Sequence, residues 1–316
     1  MNKTRVCFLS HHFESPEVFL DSIIKMTPGC KGVWKDMVAV TNPNEADYYI
    51  IMDGWNGVIP EAKEKAIYFS QHPHTPYSPV HKMFEGLPAL LKFPTKHYLN
   101  PGEWWINYTY DELMAMQYPE KTKKSACVIT YQTHHPMYLQ RPKFVRGLIN
   151  TYPEIDLDLY GRPSALFKAD DVLRGKYKGV LGIENYDAYK GEHLIGKEIL
   201  KDYQYTVEFD VGPCENYLSE RFYDAMLLWC YPFYFGCTNI EKFVPTGAFS
   251  TFDQHDLKEC SVINNKLLTT PTEYDIMMLS SARQLLLNEY QTWARVYSIV
   301  TNIDRYRKEQ KELGII

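Results

Sequence analysis

The chain has 316 residues and a formal net charge of −5, more length than one hydrophobic core needs and no basic face for DNA or RNA. Its hydrophobic fraction of 45% and charged fraction of 23% are those of a folded chain, not a disordered one. No segment approaches the ~18 apolar residues of a membrane span, and Val6–Leu9 is too short for a signal peptide.

Short β-rich runs alternate with helical ones from the start. Arg5–Ser10 (RVCFLS) reads as a buried strand, followed by a helix over Asp21–Met26. Met37–Val40, Tyr48–Met52 and Ala66–Ser70 read as strands, with a helix at Glu61–Lys65 before the last. The charged, proline-containing stretch Tyr118–Lys124 is the linker candidate. The pattern then restarts: strand Ala126–Thr130, helix Arg141–Thr151, strand Ile155–Tyr160, strand Tyr203–Phe209, helix Glu220–Cys230, strand Pro232–Phe235. Glu273–Lys311 reads as one or two long helices. Alternation of this kind predicts an α/β chain of two Rossmann-like domains, each a parallel sheet with helices on both faces, with a cleft between them. Seven cysteines without C-x-x-C spacing predict reduced thiols, mostly in the core.

Ligands of such sheets bind beyond the carboxyl ends of the strands. The residues there are His11 and His12, then Asp53, then Gln71, His72 and His74 in the first half. In the second half they are Tyr131–His135, Gly161-Arg162, Asp210 and the stretch that follows it. His72 and His74 are candidate general bases near neutral pH, with Asp53 and Glu14 in reserve. A metal reading of His11, His12, His134 and His135 ranks below this. Adjacent histidines tend to point apart, and no H-x-x-x-H pairing occurs.

The stretch ENYLSERFYDAMLLWC, residues 215–230, crowds polar groups before a helix. Ser219 is a predicted N-cap. Phe222, Ala225, Met226 and Trp229 fall at helical spacing on one buried stripe, and Tyr231-Pro232 should end the helix. The free N–H groups and dipole of the helix start make an anion site, and Arg221 adds a cation. Glu220 suits sugar or ribose hydroxyls, and Tyr217 can stack or donate. Together these match a nucleotide sugar. The plain alternative is an acid placed to favour a helix start, beside a solvated arginine.

The second half resembles the inverting α1,3/α1,4-fucosyltransferases, glycosyltransferase family 10. ACVITYQTHHPMYLQRPKFVRGLINTYPEIDLDLYGR looks like that family's strand–loop–Arg–helix unit. LKDYQYTVEFDVGPCENYLSERFYDAMLLWCYPFYFGCTNIEKFVPTGAFSTFD looks like its signature. NEADYYIIMDG and KAIYFSQHP match the first half more weakly, and the resemblance is dense over residues 125–255.

The resemblance implies a GT-B fold with an acceptor domain at 1–120 and a nucleotide-sugar domain at 121–280. A C-terminal helix at 281–316 would cross back to the first domain. It implies GDP-fucose or another nucleotide sugar as donor, an oligosaccharide or glycoprotein glycan as acceptor, and no required metal. Tyr217 falls on the family's donor-site tyrosine and Glu220 on its sugar- or ribose-binding glutamate. Arg221 falls on its phosphate-binding lysine and Arg141 on its other phosphate-binding arginine. Asn216 and Arg162 complete the expected donor set.

Two departures stand out. Phe209-Asp210-Val211 replaces the family's FEN, and Gln71-His72-Pro73 replaces its ESP with the candidate catalytic glutamate. The segment LSERFYDAMLLWCYPFYF also resembles the exostosin-type pattern, which admits UDP-xylose as donor. A non-catalytic glycan- or nucleotide-binding protein and a histidine-based metal-dependent hydrolase are the rival readings. The lack of a membrane stem suggests a cytoplasmic protein of a bacterium or a virus-infected cell, at most peripheral to a membrane. Arg221→Ala and Glu220→Ala are expected to abolish transfer with little loss of fold.

Overall fold

The computed structural model describes residues 3–74, 86–129, 136–161, 169–181 and 194–316. The chain builds two sheets in succession. The first contains β1 (Thr4–Ser10), β2 (Val33–Trp34), β3 (Met37–Ala39), β4 (Tyr48–Met52), β5 (Ala66–Phe69) and β6 (Leu91–Phe93), in the order β2-β3-β1-β4-β5-β6. Its strands are parallel except β2, which runs antiparallel to β3. The second contains β7 (Lys123–Val128), β8 (Leu157–Tyr160), β9 (Tyr177–Leu181), β10 (Leu194–Ile195), β11 (Tyr203–Cys214), β12 (Tyr231–Cys237) and β13 (Ser250–Thr251). Its order is β10-β9-β8-β7-β11-β12-β13, with every described pairing parallel.

These orders decide where a ligand goes. In the first sheet the chain leaves β1 for β3 on one side and returns as β4 on the other. In the second it leaves β7 for β8 and returns as β11. Each sheet therefore has a topological switch point, between β1 and β4 and between β7 and β11. Loops diverge there and leave a crevice at the carboxyl ends.

Most of the strand and helix expectations hold, with shifted ends. The Tyr203–Phe209 expectation extends to Cys214 across a register shift after Phe209. The Glu220–Cys230 helix is shorter: it ends at Leu227, and Trp229 takes a left-handed backbone with φ of 62°. Pro232 therefore sits within β12 instead of ending the helix. The helix is buried nearly all round, because Tyr223, Asp224 and Leu227 are buried along with the predicted stripe. Its charged positions are thus drawn into the interior.

The predicted linker is partly a strand. Lys123 and Lys124 open β7, with their ammonium groups over the Tyr203 and Tyr205 rings at 5.0 and 5.6 Å. Lys121 donates to the carbonyls of Lys201 and Leu228 at 2.8 and 2.9 Å. Long lysine stems bury easily when the ammonium finds carbonyl oxygens.

The C-terminal segment crosses back onto the first sheet. A turn of π-helix at Leu286–Tyr290 separates the Glu273–Leu285 and Thr292–Val300 helices. Trp293 packs on Phe8 with ring centroids 4.9 Å apart and donates its indole N–H to the Ile23 carbonyl at 3.0 Å. Gln310, on the Ile303–Glu312 helix, exchanges two hydrogen bonds with the Lys92 backbone at 2.9 and 2.7 Å, which satisfies part of the β6 edge. No helix among the described residues is long and apolar enough to cross a membrane. All seven cysteines are free, and all but Cys30 are buried.

Candidate active site

At the β7/β11 switch point the Glu220–Leu227 helix starts as its sequence predicts. The Ser219 hydroxyl accepts from the Arg221 N–H at 3.3 Å and donates to the Asp210 carboxylate, which also accepts from the Tyr234 hydroxyl. Burial pushes the Asp210 carboxyl up to about 6, against those two hydrogen bonds. Arg221 donates to the Val128 carbonyl at 2.7 Å, and its Nε lies 3.9 Å from Glu220. Tyr217 is buried, and burial followed by the Asp210 and Glu220 charges holds its hydroxyl protonated.

Arg141 is the outlier. Its side chain is 1% exposed, yet Nε and Nη1 find no hydrogen-bond partner among the described residues. The guanidinium lies over the Tyr138 ring at 4.3 Å. Burial, then the charge of Arg221, lowers its pKa to about 10. Two guanidinium groups that repel each other at a switch point, one with two nitrogens unpartnered among the described residues, make a site that wants an anion.

A second layer of charge backs this site, and the sequence reading missed it. Glu103 lies in the connection from the first sheet to the second, and its carboxylate accepts from the Trp105 indole at 3.2 Å. Burial, then the neighbouring Glu220 charge, raises its pKa to about 7. Asp224 accepts from the Trp105 N–H at 2.8 Å and from Lys197 at 2.6 Å. Burial raises the Glu208 carboxyl to about 8, with Arg221 and Lys197 opposing. The one available signal was the acid-aromatic run Pro101–Trp105, which lies outside any periodic segment.

Asn216 joins the two halves. Its side chain donates to the carbonyls of Thr95 and Lys96 at 3.3 and 3.4 Å and accepts from Asn239 at 3.0 Å. Asn100 and Leu218 exchange two further hydrogen bonds at 3.0 and 2.8 Å. The amide expected to bind donor is therefore committed to stitching the loop after β6 to the loop after β11. Thr95 continues the chain of contacts, since its hydroxyl donates to the His72 carbonyl at 2.8 Å. The carboxyl ends of the two sheets thus adjoin.

On the first sheet, His12, Asp53 and His72 follow β1, β4 and β5 around the other switch point. Asp53 is 2% exposed and takes a left-handed backbone with φ of 58°. Its Oδ1 accepts from the Gln71 N–H at 2.7 Å. Its Oδ2 lies 3.5 Å from His72 Nε2 and 3.8 Å from His12 Nε2, both imidazoles being about half exposed. Burial raises the Asp53 pKa and the histidines oppose that rise, His72 most. Burial, then the charge of His11, whose ring lies tilted 3.9 Å away, lowers that of His12. One ligand atom from each of the three residues lies within 4.8 Å of the others, close enough to hold a metal ion. Spacing along the chain hid this, because the three groups meet through the sheet and not along one element.

Of the other expected site residues, His74 is exposed beyond His72 and outside this cluster, and Glu14 is exposed in the turn after β1. Glu220 stands at the helix start with an 18% exposed side chain. Arg162, His134 and His135 lie outside the described residues.

No family model matches the sequence, and no curated protein matches it. Solved structures match in shape. WaaG, a glycosyltransferase involved in lipopolysaccharide biosynthesis, has a TM-score of 0.51 at 11% identity, over 95% of this chain and 98% of that one. The apo structure of OtsA has a TM-score of 0.50 at 9% identity, over 83% of this chain and 74% of that one. The fold is GT-B. An α1,3-fucosyltransferase has a TM-score of 0.49 at 13% identity, over 95% of this chain and 90% of that one. At such identities the likeness shows the fold alone. The chemistry of this GT-B chain rests on its own residues, and the resemblance to family 10 on the motifs quoted above.

Proposed function

We propose that the chain is an inverting glycosyltransferase that moves a sugar from a nucleotide-diphosphate donor to a glycan hydroxyl. The observation that carries this reading is the buried guanidinium of Arg141 beside Arg221 at the start of a core helix, with Nε and Nη1 lacking a hydrogen-bond partner among the described residues. A donor diphosphate would supply the missing acceptors, and the two arginines with the helix N–H groups would stabilise the charge that develops as it leaves. Tyr217 and Glu220 would position the donor's hydroxyls. The 121–280 domain would hold the donor and the 1–120 domain the acceptor.

His72 is the proposed base, with Asp53 behind it. Asp53 is too buried to touch an acceptor, whereas His72 is half exposed and Asp53 can stabilise the imidazolium that forms. The acceptor oxygen then bonds to the anomeric carbon as the bond to the diphosphate breaks, and configuration inverts. Transfer needs no metal in this scheme.

The donor is GDP-fucose or a related nucleotide sugar. Val211 stands where family 10 carries an amide, which makes a UDP-sugar such as UDP-xylose the second reading. A thermal-shift panel of nucleotide sugars tests the proposal, because a bound donor raises apparent stability. A shift followed by transfer in the presence of chelator supports it. No shift with any GDP- or UDP-sugar overturns it, and binding without turnover leaves a nucleotide-binding protein.

A further inference from the structure

We infer that His12, Asp53 and His72 form a binding site for a zinc-class divalent ion, and that the bound ion blocks transfer. The inference rests on the base assignment above only for the block, not for the binding. Both Nε2 atoms face the same oxygen, Asp53 Oδ2, at 3.5 and 3.8 Å. Those separations lie well beyond the usual hydrogen-bond optimum of about 2.9–3.0 Å. They approach the edge of a tetrahedral metal site, about 3.4 Å when the ligand bonds are about 2.0–2.1 Å. Two imidazoles and one carboxylate are a donor set for zinc and its neighbours, not for magnesium or calcium.

The surroundings support the ligands. The Gln71 N–H holds Asp53 Oδ1, which leaves Oδ2 directed at the histidines, as an outer hydrogen bond does in metal sites. The left-handed backbone at Asp53, followed by Gly54 at φ of 135°, turns the chain so that this carboxylate sits between the other two loops. Both imidazoles are about half exposed, so one coordination position opens outward. A metal there takes the Nε2 lone pair of His72 that would otherwise accept the acceptor's proton. Metal binding and base work therefore exclude each other.

Calorimetric titration of metal-free protein with zinc tests this, in a Cys30→Ser background because Cys30 is the one cysteine not buried. One equivalent is expected to bind, with affinity at least ~10-fold weaker in His12→Ala and in His72→Ala. Cobalt(II) in the same site should give the intense visible absorption of a tetrahedral centre. Zinc should inhibit transfer reversibly, with chelator restoring the full rate. Absence of zinc binding, or unchanged affinity in both histidine variants, overturns the inference. Nucleotide-sugar titration of the same samples reads the donor site separately, so a failed metal site leaves the proposed transferase standing.

Discussion

The Arg221 guanidinium donates to the carbonyl of Val128 at 2.7 Å, tying the start of the Glu220–Leu227 helix to the end of β7. The arginine that would hold phosphate is therefore also part of the switch point's structure. Glu220, Glu208 and Asp210 all favour its charge, and that support outweighs the cost of burial. The expectation that Arg221→Ala leaves the fold nearly intact needs revision on this ground. Removal leaves the Val128 carbonyl without this donor and Glu220, Glu208 and Asp210 without that neighbouring positive charge, at a cost of about 2–4 kcal/mol. Arg221→Lys keeps the charge and should recover most of the stability, but not the fixed fork geometry. Denaturant unfolding of the two variants, beside nucleotide-sugar titration, checks both statements. Equal stability of Arg221→Ala and wild type would contradict the first.

Asp53→Asn separates chemistry from architecture. An asparagine still offers Oδ1 to the Gln71 N–H, so the turn after β4 keeps its hydrogen bond. What is lost is the charge that stabilises a protonated His72. The rate of transfer should fall by about 10²–10⁴, the usual scale of general-base catalysis, with donor affinity unchanged. Single-turnover kinetics beside donor titration reads the two quantities apart. A rate within a factor of about three of wild type would move the base elsewhere.

The residues explain which parts of this site were legible beforehand. Ser219 caps the helix that carries Glu220, Phe222, Ala225 and Met226, where local spacing maps onto geometry. The strand-end positions of Asp53 and His72 follow from β4 and β5, each read within one residue of its observed end. Glu103 and Trp105 were not legible, because they belong to a connection without periodicity and act through Asp224 and Glu220 on another element. The His12–His72 pairing was hidden for a related reason. Sixty residues separate the two, and only the strand order β1-β4-β5 brings their loops together. Asn216 looked like a ligand group because polar residues at a helix start suit ligands and interdomain stitching alike.

Asn216 gives a test of that stitching. Its φ is 57°, and its side chain spans Thr95, Lys96 and Asn239. Asn216→Ala loses those hydrogen bonds and adds left-handed strain. Asn216→Gly loses the hydrogen bonds alone. The alanine variant should therefore be the less stable of the two by about 1 kcal/mol. Both should weaken nucleotide-sugar binding, since the loop carrying Tyr217 and Ser219 loses its anchor. Chemical denaturation ranks the two variants. A glycine variant less stable than the alanine one would rule out backbone strain as the difference.

Donor binding should depend on pH through the three raised carboxyls. Asp210 at about 6, Glu103 at about 7 and Glu208 at about 8 are each pushed up mainly by burial. Lys25 opposes the shift at Glu103, Arg141 opposes it at Asp210, and Arg221 and Lys197 oppose it at Glu208, while Glu220 and Asp224 add to the negative charge. Below about pH 6 these carboxyls are largely neutral and the site is at its most cationic. As pH rises through 6 to 8 each gains a negative charge, Asp210 near Arg141, Glu208 near Arg221 and Glu103 near Glu220, so affinity for a nucleotide sugar should fall. A nucleotide sugar is the right probe, because its esterified diphosphate keeps a constant charge over this range. The stability sign runs the same way. An acid whose folded pKa lies above its unfolded value favours the folded state at low pH, and that contribution is lost as pH rises from the unfolded value through the folded one. Glu208→Gln should therefore stabilise the protein at pH 8 by a few kcal/mol relative to wild type, with the gain shrinking toward pH 5. It should also flatten the upper part of the binding curve. Titrations at half-unit pH steps on both proteins decide the matter, and an affinity that rises with pH would refute the assignment of these carboxyls to the donor site.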